Sequence, residues 1–420
     1  MNKETIRRID VVVGNLVCGV LTAHRRLSDL TSGTDAAKAP TRKILFLKLI
    51  EQGATVLAAP AMQRAVARVG RENVYFCVFR ENRPIVDILD LLPPENVIEL
   101  RSGNLFVFVA DAFRALRRIR RESIDTVVDM ELMARAPAIL AYLTGAARRV
   151  GLHRFTAEGP YRGDLMTHRV QYNPYLHTSL AYDLLVAALD EDPDDLPLLK
   201  VGARRPELSP PRFVATPAEI ARVRQLLADA AGREVTGTIV VLNPNTGDLL
   251  PTRKWPTERF VELGKRILAD HADTTLVITG GPSEQAGAEE VCRQIGTARV
   301  VSIAGKTSLR DVMVLFTFAD VLVTNDSGPG HFASMTDVHD IVLFGPETPQ
   351  LFGPLGENRH VVWAELACSP CVNPYNHRFS PCSNNRCMQA ITTDEVYGEV
   401  ATSLKARRRL PQVAPQPSAE

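Results

Sequence analysis

The chain has 420 residues, more than one hydrophobic core usually holds, and this length predicts two domains. Apolar residues make up 45% of the sequence and charged residues 23%, and these ordinary values exclude disorder throughout the chain. The formal net charge of +1 provides no overall field for a polyanion, so we expect no nucleic-acid partner. Seven cysteines are few for this length, which favours a reducing, cytoplasmic compartment.

The first apolar segment covers residues 9–23 and has arginines on both sides. It is shorter than the roughly 20 residues that a membrane-spanning helix needs, and it lacks the cleavage pattern of a secretory signal. Five of its apolar residues form one stripe at helical spacing: Val13, Leu16, Val17, Val20 and Leu21. Two interpretations remain open. The stripe packs on the body of the protein, or it makes peripheral contact with the anionic inner face of a membrane.

From residue 43 onward, short β-branched or apolar runs alternate with longer helical patterns, which is typical of parallel sheets covered by helices. The first half has predicted strands at 43–48, 74–79, 97–100, 125–130 and 149–152. The second half has predicted strands at 238–242, 274–279, 299–303, 320–324 and 340–344. The predicted class is therefore α/β, with two doubly wound, Rossmann-like domains.

The predicted organisation has five parts. They are an N-terminal amphipathic helix and linker (1–41), a first domain (42–200), a connection (201–236), a second domain (237–404) and a disordered tail (405–420). The connection is assigned from an acidic run and a proline-rich stretch, and the tail from its lack of apolar periodicity. Open parallel sheets bind ligands at the carboxyl ends of their strands, so the functional residues are sought there.

The strongest local motif is the segment 326–331, which follows an apolar strand and precedes a helical pattern. Backbone amides in such a turn, together with the helix N-terminus, favour a diphosphate. Asp326 could accept hydrogen bonds from sugar hydroxyls. Alternatively, Asp326 and Ser327 only cap the helix, and the glycines, among them Gly328, only form the turn.

Two further loops follow predicted strands of the same domain. The segment 243–256 contains Thr246 and the adjacent cations Arg253 and Lys254, which could neutralise a diphosphate as a sugar leaves it. The segment 279–284 is a glycine-rich turn with Gly281 and Glu284, and this carboxylate could bind ribose hydroxyls. The pair of cations taken alone is also compatible with a solvated surface, but three such loops at three strand ends of one domain support one another.

These motifs resemble glycosyltransferase family 9, the heptosyltransferase-like enzymes of lipopolysaccharide assembly. The resemblance rests on Arg-Lys-Trp-Pro at 253–256, Gly-Gly at 280–281, Asp-Ser-Gly at 326–328 with His331, and Phe-Gly-Pro-Glu-Thr-Pro at 344–349. It covers about residues 42–400. The family usually has a lysine where Arg253 stands, and arginine can also hold a phosphate.

The resemblance implies the glycosyltransferase B fold, in which two domains face a cleft. It also implies a nucleotide-diphosphate sugar donor on the C-terminal domain, a glycolipid or glycan acceptor on the N-terminal domain, and inversion without a metal or other cofactor. Asp326 would then hold the sugar, while Ser327, Gly328 and His331 would surround the phosphates.

The N-terminal domain departs from the family pattern. Typical members have a Gly-Asp pair after the first strand, and that aspartate is the expected base, whereas this chain has Ala54 in its place. Glu51 precedes it by three residues and is the candidate for removing the proton of the acceptor hydroxyl. A surface or helix-start glutamate is the competing interpretation. Other polar residues suit acceptor contacts by position, and packing in the core or on the surface is the alternative for each of them: Asp129, Glu131, Arg135, Tyr161, Arg162, His168, Tyr172, Asn173 and His177.

Four cysteines near the C-terminus have the spacing of a metal site. Cys368, Cys371, Cys382 and Cys387 could supply four thiolates to a structural zinc, and disulfides or free thiols are the alternatives.

The sequence therefore predicts an inverting, metal-independent transferase that moves a heptose-like sugar to a cell-envelope acceptor. The alternatives are a degenerate protein that only binds nucleotide sugar or glycan, suggested by Ala54, and a Rossmann dehydrogenase or epimerase. The latter is disfavoured because no early strand is followed by Gly-x-Gly-x-x-Gly.

Overall fold

The structure is a computed structural model and describes residues 3–32, 35–132, 134–156, 159–200, 208–247, 250–376 and 379–409. The chain forms two compact units. Unit 1 contains Met1–Pro211, Gln350–Leu355 and Val372–Ser380, and unit 2 contains Arg212–Pro349, Gly356–Cys371 and Pro381–Glu420. Two short segments of the C-terminal half, Gln350–Leu355 and Val372–Ser380, thus belong to unit 1.

Unit 1 is built on a six-stranded parallel sheet with the order β3-β2-β1-β4-β5-β6. Its strands are β1 (Ile44–Leu47), β2 (Val74–Phe79), β3 (Val97–Leu100), β4 (Thr126–Asp129), β5 (Arg148–His153) and β6 (His168–Gln171). Its helices are α1 (Lys3–Ser32), α2 (Gln52–Leu57), α3 (Ala59–Val69), α4 (Arg83–Leu89), α5 (Leu105–Arg121), α6 (Arg135–Leu143) and α7 (Thr178–Ala187).

The second half of the chain contains another six-stranded parallel sheet, with the order β12-β11-β10-β7-β8-β9. Its strands are β7 (Thr238–Asn243), β8 (Thr274–Ile278), β9 (Val300–Ser302), β10 (Val321–Asn325), β11 (His339–Phe344) and β12 (Arg359–Trp363). The helices are α8 (Pro217–Ala231), α9 (Thr257–Asp270), α10 (Gln285–Ile295), α11 (Leu309–Phe318), α12 (Gly328–Ala333), α13 (Pro349–Phe352), α14 (Arg386–Ala390) and α15 (Thr393–Arg409).

The two sheets have the same strand order when each is numbered from its own first strand. The first and fourth strands are neighbours in both, and the chain winds outward from them in opposite directions. This order confirms the prediction of two doubly wound α/β domains. It also creates a switch point at the carboxyl ends of β1 and β4 in unit 1 and of β7 and β10 in unit 2, where such folds bind ligands.

Burial explains why ten of the twelve strands could be predicted. All four residues of β1 and all five of β8 and β10 are buried, so these strands are continuous apolar or β-branched runs. The strands β6 and β12 were not predicted. Each is the last strand at one edge of its sheet, and half-buried or exposed positions interrupt its apolar pattern.

The predicted connection and tail differ in part from the structure. Residues 201–207 of the connection lie outside the described residues, whereas α8 is a capped helix of unit 2 that begins with a reciprocal Thr216–Glu219 capping box. The last helix continues to Arg409, so residues 405–409 of the predicted tail are helical. Residues 410–420 lie outside the described residues.

Helix α1 bears out the first interpretation for the helix itself but not for its whole apolar stripe. The helix packs against α6, but the residues that it buries are Gly14, Cys18 and Thr22, and the apolar residues Val13, Leu16 and Val20 are exposed. The helix therefore packs on the body of the protein, and Leu21 of the stripe contacts the core of unit 1, but three of the five stripe residues face outward. Of the helices that the structure describes, none combines the length and apolar character needed to cross a bilayer.

Candidate active site

The candidate donor site lies at the switch point of unit 2, where loops follow β7, β8 and β10. Three asparagines and a threonine connect these loops. Asn243 Nδ2 donates to Thr279 Oγ1 at 3.0 Å, and Asn245 Nδ2 donates to Thr279 O at 3.1 Å. Asn325 Nδ2 donates to Asn245 O at 3.2 Å. These side-chain amides, of which those of Asn243 and Asn325 are buried, hold the three loops together. Their role was not predicted because only the folded sheet brings them into contact.

Trp255 anchors the loop that carries the two predicted cations. Its side chain is fully buried against Phe260, its Nε1 donates to Ile391 O at 3.0 Å, and its backbone N donates to Asn325 Oδ1 at 2.8 Å. A residue two positions before this anchor has little freedom. The contacts that Trp255 makes in the core therefore fix the backbone position of Arg253.

Arg253 lies between two buried carboxylates. Its Nη1 is 3.2 Å from Glu347 Oε2 and 3.5 Å from Asp326 Oδ2, and the arginine side chain is only 11% exposed. The predicted loops at 253 and 326 thus come together, and Glu347 joins them from the Phe-Gly-Pro-Glu-Thr-Pro motif. Arg253 Nε is buried and has no hydrogen-bond partner among the residues described. A buried donor of this kind has the position of a contact to a bound anion.

Lys254 is placed differently from its neighbour. Its side chain is exposed, whereas its backbone oxygen accepts a hydrogen bond from Asn385 Nδ2 at 2.8 Å. Thr246 is half-buried in the loop after β7, and its hydroxyl donates to Gly247 O at 3.2 Å. The lysine and the threonine therefore lie in the loop after β7 but outside the Arg253 cluster.

The segment after β10 has the strand-to-helix geometry that was predicted. Ser327 has extended backbone angles, and its hydroxyl donates to Asn325 O at 3.0 Å. A Cβ on Gly330 would lie 2.9 Å from Val342 Cγ2, so this glycine lets α12 lie directly against the sheet. Gly328 is the first residue of α12, and the His331 ring is buried in the same short helix.

Glu284 makes a local contact that was not predicted from the sequence. Its Oε2 accepts a hydrogen bond from the Gly281 backbone N at 2.7 Å, which closes the turn after β8. This contact stabilises the turn, whether or not a ribose binds beside it.

The switch point of unit 1 contains Glu51. This glutamate precedes α2 and has φ 70°, a left-handed backbone conformation that is unusual for a residue other than glycine. Such strain is found most often where a fold holds a functional side chain. Ala54, where the resemblance leads us to expect an aspartate, lies in the first turn of α2.

Lys48 and Glu131 form a buried pair beside Glu51. Lys48 Nζ is 3.2 Å from Glu131 Oε1, and the same oxygen accepts hydrogen bonds from the backbone N of Leu49 at 2.7 Å and of Ile50 at 3.2 Å. Burial alone would lower the pKa of Lys48, but the acidic groups of Glu131, Tyr182 and Glu51 outweigh it and raise that pKa. Lys48 therefore stays charged, and Glu131 is held in the structure.

Several of the predicted acceptor contacts are instead internal contacts of unit 1. Arg162 pairs with the fully buried Asp129, and Arg135 bonds to Asn15 Oδ1 at 2.9 Å and to Tyr161 O at 3.1 Å. His168 is buried in β6, and burial lowers its pKa to about 4. His177 caps α7, whereas Tyr172 and Asn173 are at least partly accessible after β6. Buried arginines of this type were indistinguishable from site residues in the sequence.

A cavity of about 260 Å³ lies beside the carboxyl end of β5. Its charged lining consists of Arg26, Arg154, Arg162, Asp164 and Arg169, and the ring of His153, whose pKa is lowered by burial, also lines it. Asp164 is paired with Arg25 at 2.5 Å, and both Arg26 and Arg169 approach it to 3.6 Å. One carboxylate thus faces several guanidinium groups, so the cavity has a positive charge that suits an anion.

The four C-terminal cysteines do not form the predicted metal site. All seven cysteines are within the described residues, and no disulfide joins any of them. Burial, with smaller contributions from the thiols of Cys371 and Cys382, raises the pKa of Cys387. Within the described ranges, no three His, Cys, Asp or Glu side chains are grouped so that they could hold a metal ion. Cys368 is exposed.

The fold is shared with solved structures of sugar transferases. The structure of E. coli ADP-heptose lps heptosyltransferase II matches with a TM-score of 0.68 and 17% identity, over 87% of this chain and 99% of that one. A glycosyl transferase family 9 structure from Veillonella parvula matches with a TM-score of 0.67 and 18% identity, over 87% and 98% of the two chains. These likenesses confirm the predicted glycosyltransferase B class of fold.

Curated relatives match over shorter segments. Lipooligosaccharide heptosyltransferase 2 of Campylobacter jejuni serotype O:2 is 25% identical over 181 residues, which are 41% of this chain and 52% of that protein. Lipopolysaccharide heptosyltransferase 2 of Escherichia coli K12 is 26% identical over 115 residues, 27% of this chain and 32% of that protein. The chain thus spans about half the length, or less, of these relatives.

The model of glycosyltransferase family 9 (heptosyltransferase) matches residues 112–378, and the chain belongs to this family. The matched segment includes all three loops of the unit 2 site and ends within the cysteine-containing region.

Proposed function

We propose that the protein is an inverting heptosyltransferase that transfers a heptose-like sugar from a nucleoside diphosphate donor to a lipopolysaccharide-type acceptor. The observation that carries the proposal is the position of Arg253 between Asp326 and Glu347 in a member of this family. The related E. coli structure is named for ADP-heptose, so ADP-heptose is the donor to test first.

The donor's diphosphate binds at the loops of unit 2. Arg253 donates its unused Nε to a phosphate oxygen, and its guanidinium stabilises the negative charge that grows on the diphosphate as the sugar departs. Backbone amides of Ser327 and Gly328 add donors, and Lys254 and Thr246 contact the outer part of the nucleotide. Asp326 accepts hydrogen bonds from the sugar hydroxyls, with His331 nearby. Gly281 and Glu284 form the turn that faces the ribose.

The acceptor binds to unit 1. Its anionic groups enter the arginine-lined cavity beside β5, where Arg154 and Arg169 provide donors. Glu51 takes the proton of the acceptor hydroxyl. The oxygen then forms a bond to the anomeric carbon, the bond from that carbon to the diphosphate breaks, and the configuration inverts. No metal ion takes part, so turnover is expected to persist in excess chelator.

Replacement of Glu51 by Gln tests the base. Turnover should fall about 100-fold or more, because a positioned general base contributes about that much, and ADP binding should be unchanged. ADP release and calorimetric titration with ADP measure the two quantities. Glu72→Gln is the matched control, since Glu72 is an exposed glutamate of the same unit. Full activity of Glu51→Gln would eliminate Glu51 as the base.

A second candidate function is binding of a nucleotide sugar without transfer, which Ala54 favours. The same two measurements separate the candidates. ADP-heptose binding with no ADP release in the presence of acceptor would favour the binding protein. Absence of any ADP or ADP-heptose binding would contradict both.

A further inference from the structure

Exposed apolar side chains are concentrated on three helices of unit 1. Among the described residues, six large exposed hydrophobic side chains lie on α1, four on α5 and one on α6, and the remaining six are scattered over the rest of the chain. The set on the three helices is Val12, Val13, Leu16, Val20, Leu27 and Leu30, then Leu105, Phe106, Val109 and Phe113, then Leu143. A concentration of this kind indicates an interaction surface.

On α1 the exposed residues form one continuous stripe. At about 100° per residue, all six fall within a sector about 100° wide, and the buried residues Gly14, Cys18 and Thr22 lie on the opposite side of the helix. Leu16 is 70% exposed and Leu30 is 84% exposed. The stripe therefore faces away from the body of unit 1 along almost the whole helix.

Specific contacts hold α1 in this orientation. Asp10 accepts hydrogen bonds from the backbone N of Arg135 at 2.9 Å and of Ala136 at 3.0 Å, at the start of α6. A Cβ on Gly14 would lie 2.8 Å from Arg135 Cβ, so only a glycine permits this close approach. These contacts with α6 fix the side of α1 that faces unit 1, and the apolar stripe therefore points outward.

Helix α5 also exposes apolar side chains next to arginines. Its first half exposes Phe106, which is 85% accessible, and Phe113, and its second half carries five arginines. Arg117 lies over the Phe113 ring, with its guanidinium carbon 4.4 Å from the ring centre. Apolar and basic side chains therefore share one exposed face.

The exposed faces of α1, α5 and α6 belong to one side of the unit. Buried residues of all three helices pack in a single core cluster with β1 to β4, among them Cys18, Ala115, Ile119, Ala138 and Ala141. The helices therefore form one layer on one face of the sheet. Their outer surfaces point away from that sheet in the same general direction, and we call this outer surface the helical face.

The charge of the helical face is positive. Arg8, Arg26, Arg114, Arg117 and Arg121 are exposed on α1 and α5. Among the side chains that the structure describes on these two helices, the carboxylates are Asp10, Asp29 and Asp111, and each is ion-paired with an arginine. Arg8 and Arg26 lie at the border of the apolar stripe of α1, the position of headgroup contacts in an interfacial helix.

We propose that the helical face binds to the surface of a membrane that contains anionic lipid. The apolar residues of α1 and the phenylalanines of α5 enter the boundary between headgroups and acyl chains, and the arginines contact phosphate groups. The charge favours this occupant over a second copy of the chain, because two copies would bring arginine-rich surfaces together. The proposal does not depend on the transferase activity, and its test measures binding alone.

The test is co-sedimentation of the full chain with vesicles of phosphatidylcholine that contain about 30% phosphatidylglycerol, compared with phosphatidylcholine alone. The wild-type chain should bind the anionic vesicles, and raising NaCl to about 0.5 M should weaken binding. A variant with Leu16→Gln, Val20→Gln and Leu27→Gln should lose at least about tenfold in affinity. Arg117→Gln with Arg121→Gln should lose about tenfold on anionic vesicles only.

Val214→Gln is the matched control, because Val214 is an exposed valine outside the helical face and should not affect binding. Circular dichroism should show that all variants remain folded, since the replaced side chains are exposed. Two results would overturn the proposal. One is equal sedimentation of the wild-type chain with and without vesicles. The other is a stable dimer without lipid that the triple variant converts to a monomer, which would assign the helical face to self-association.

Discussion

At the switch point of unit 1, Lys48 pairs with Glu131 and Asp129 pairs with Arg162, and each of these residues is buried. At the switch point of unit 2, Arg253 contacts two carboxylates and still has a buried Nε without a hydrogen-bond partner among the described residues. The Lys48–Glu131 pair is satisfied within the protein, because Lys48 Nζ also donates to Ile50 O and Glu131 Oε1 accepts from two backbone N–H groups. Arg162 Nη1, like Arg253 Nε, is a buried donor without a partner among the described residues, but only Arg253 lies between two carboxylates. The same topology therefore holds a satisfied lysine–glutamate pair in one unit and the candidate donor site in the other.

The largest expected effect concerns the satisfied pair of unit 1. Lys48→Met leaves the Glu131 carboxylate buried without its cation, and this should lower the free energy of unfolding by about 3–5 kcal/mol. Urea denaturation measures the change. Lys265→Met, which removes an exposed lysine, should change it by less than about 0.5 kcal/mol. Equal stability of the two variants would show that the Lys48 pair is not structural.

A smaller effect is expected for the asparagine that connects the loops of unit 2. Asn325→Ala leaves the Trp255 N–H and the Asn245 carbonyl without their partner, which should cost about 1–3 kcal/mol of stability. It should also weaken ADP binding, since the Arg253 loop loses an anchor. Thermal unfolding with and without ADP tests both, and Asn358→Ala serves as an exposed control. Lower stability with unchanged ADP binding would show that Asn325 supports the fold but does not contribute to the ADP site.

The smallest effect is pH-dependent and lies away from both switch points. Asp340 is fully buried in β11, neither of its carboxylate oxygens has a hydrogen-bond partner in the described part of the chain, and burial raises its pKa well above the ordinary value. The folded state thus holds this proton more tightly than the unfolded state, whose pKa is about 3.9. The contribution of the protonated Asp340 to the free energy of unfolding is therefore fully present below that pH. It is lost as the pH rises through the folded-state pKa.

Asp340→Asn removes this ionisation. The variant should gain about 1 kcal/mol of stability at neutral pH relative to wild type, and its stability should depend less on pH between about 4 and 8. Urea denaturation at several pH values gives both results. A variant that is less stable than wild type at pH 7 would mean that the carboxylate has a stabilising partner.

The sequence predicted those parts of the fold that depend on local patterns. Buried strands such as β8 and β10 are uninterrupted runs, and the glycine-rich turns that follow them are visible as motifs. Edge strands β6 and β12 lack such runs, so they were not predicted. The direction of the α1 stripe also could not be predicted, because a helix with small residues on one side and apolar residues on the other can pack through either face.

Within the site, the sequence identified Arg253 and Asp326 but not the contact between them. Glu347 was visible only as part of a family motif, and its place against Arg253 depends on β11 lying beside β10. The asparagines at 243, 245 and 325 have no periodic or spacing signal. Their function depends on hydrogen bonds between loops that are distant in the chain.

The central claim is that Arg253 contacts the diphosphate of the donor, and calorimetric titration of ADP tests it most directly. Wild type should bind ADP, Arg253→Ala should weaken binding at least about tenfold, and Lys254→Ala, which alters an exposed lysine, should weaken it less than about threefold. Because Arg253→Ala also leaves two carboxylates buried, Arg253→Lys serves as a second variant with intermediate affinity. Equal ADP affinity of wild type and both Arg253 variants, with all proteins folded, would contradict the account.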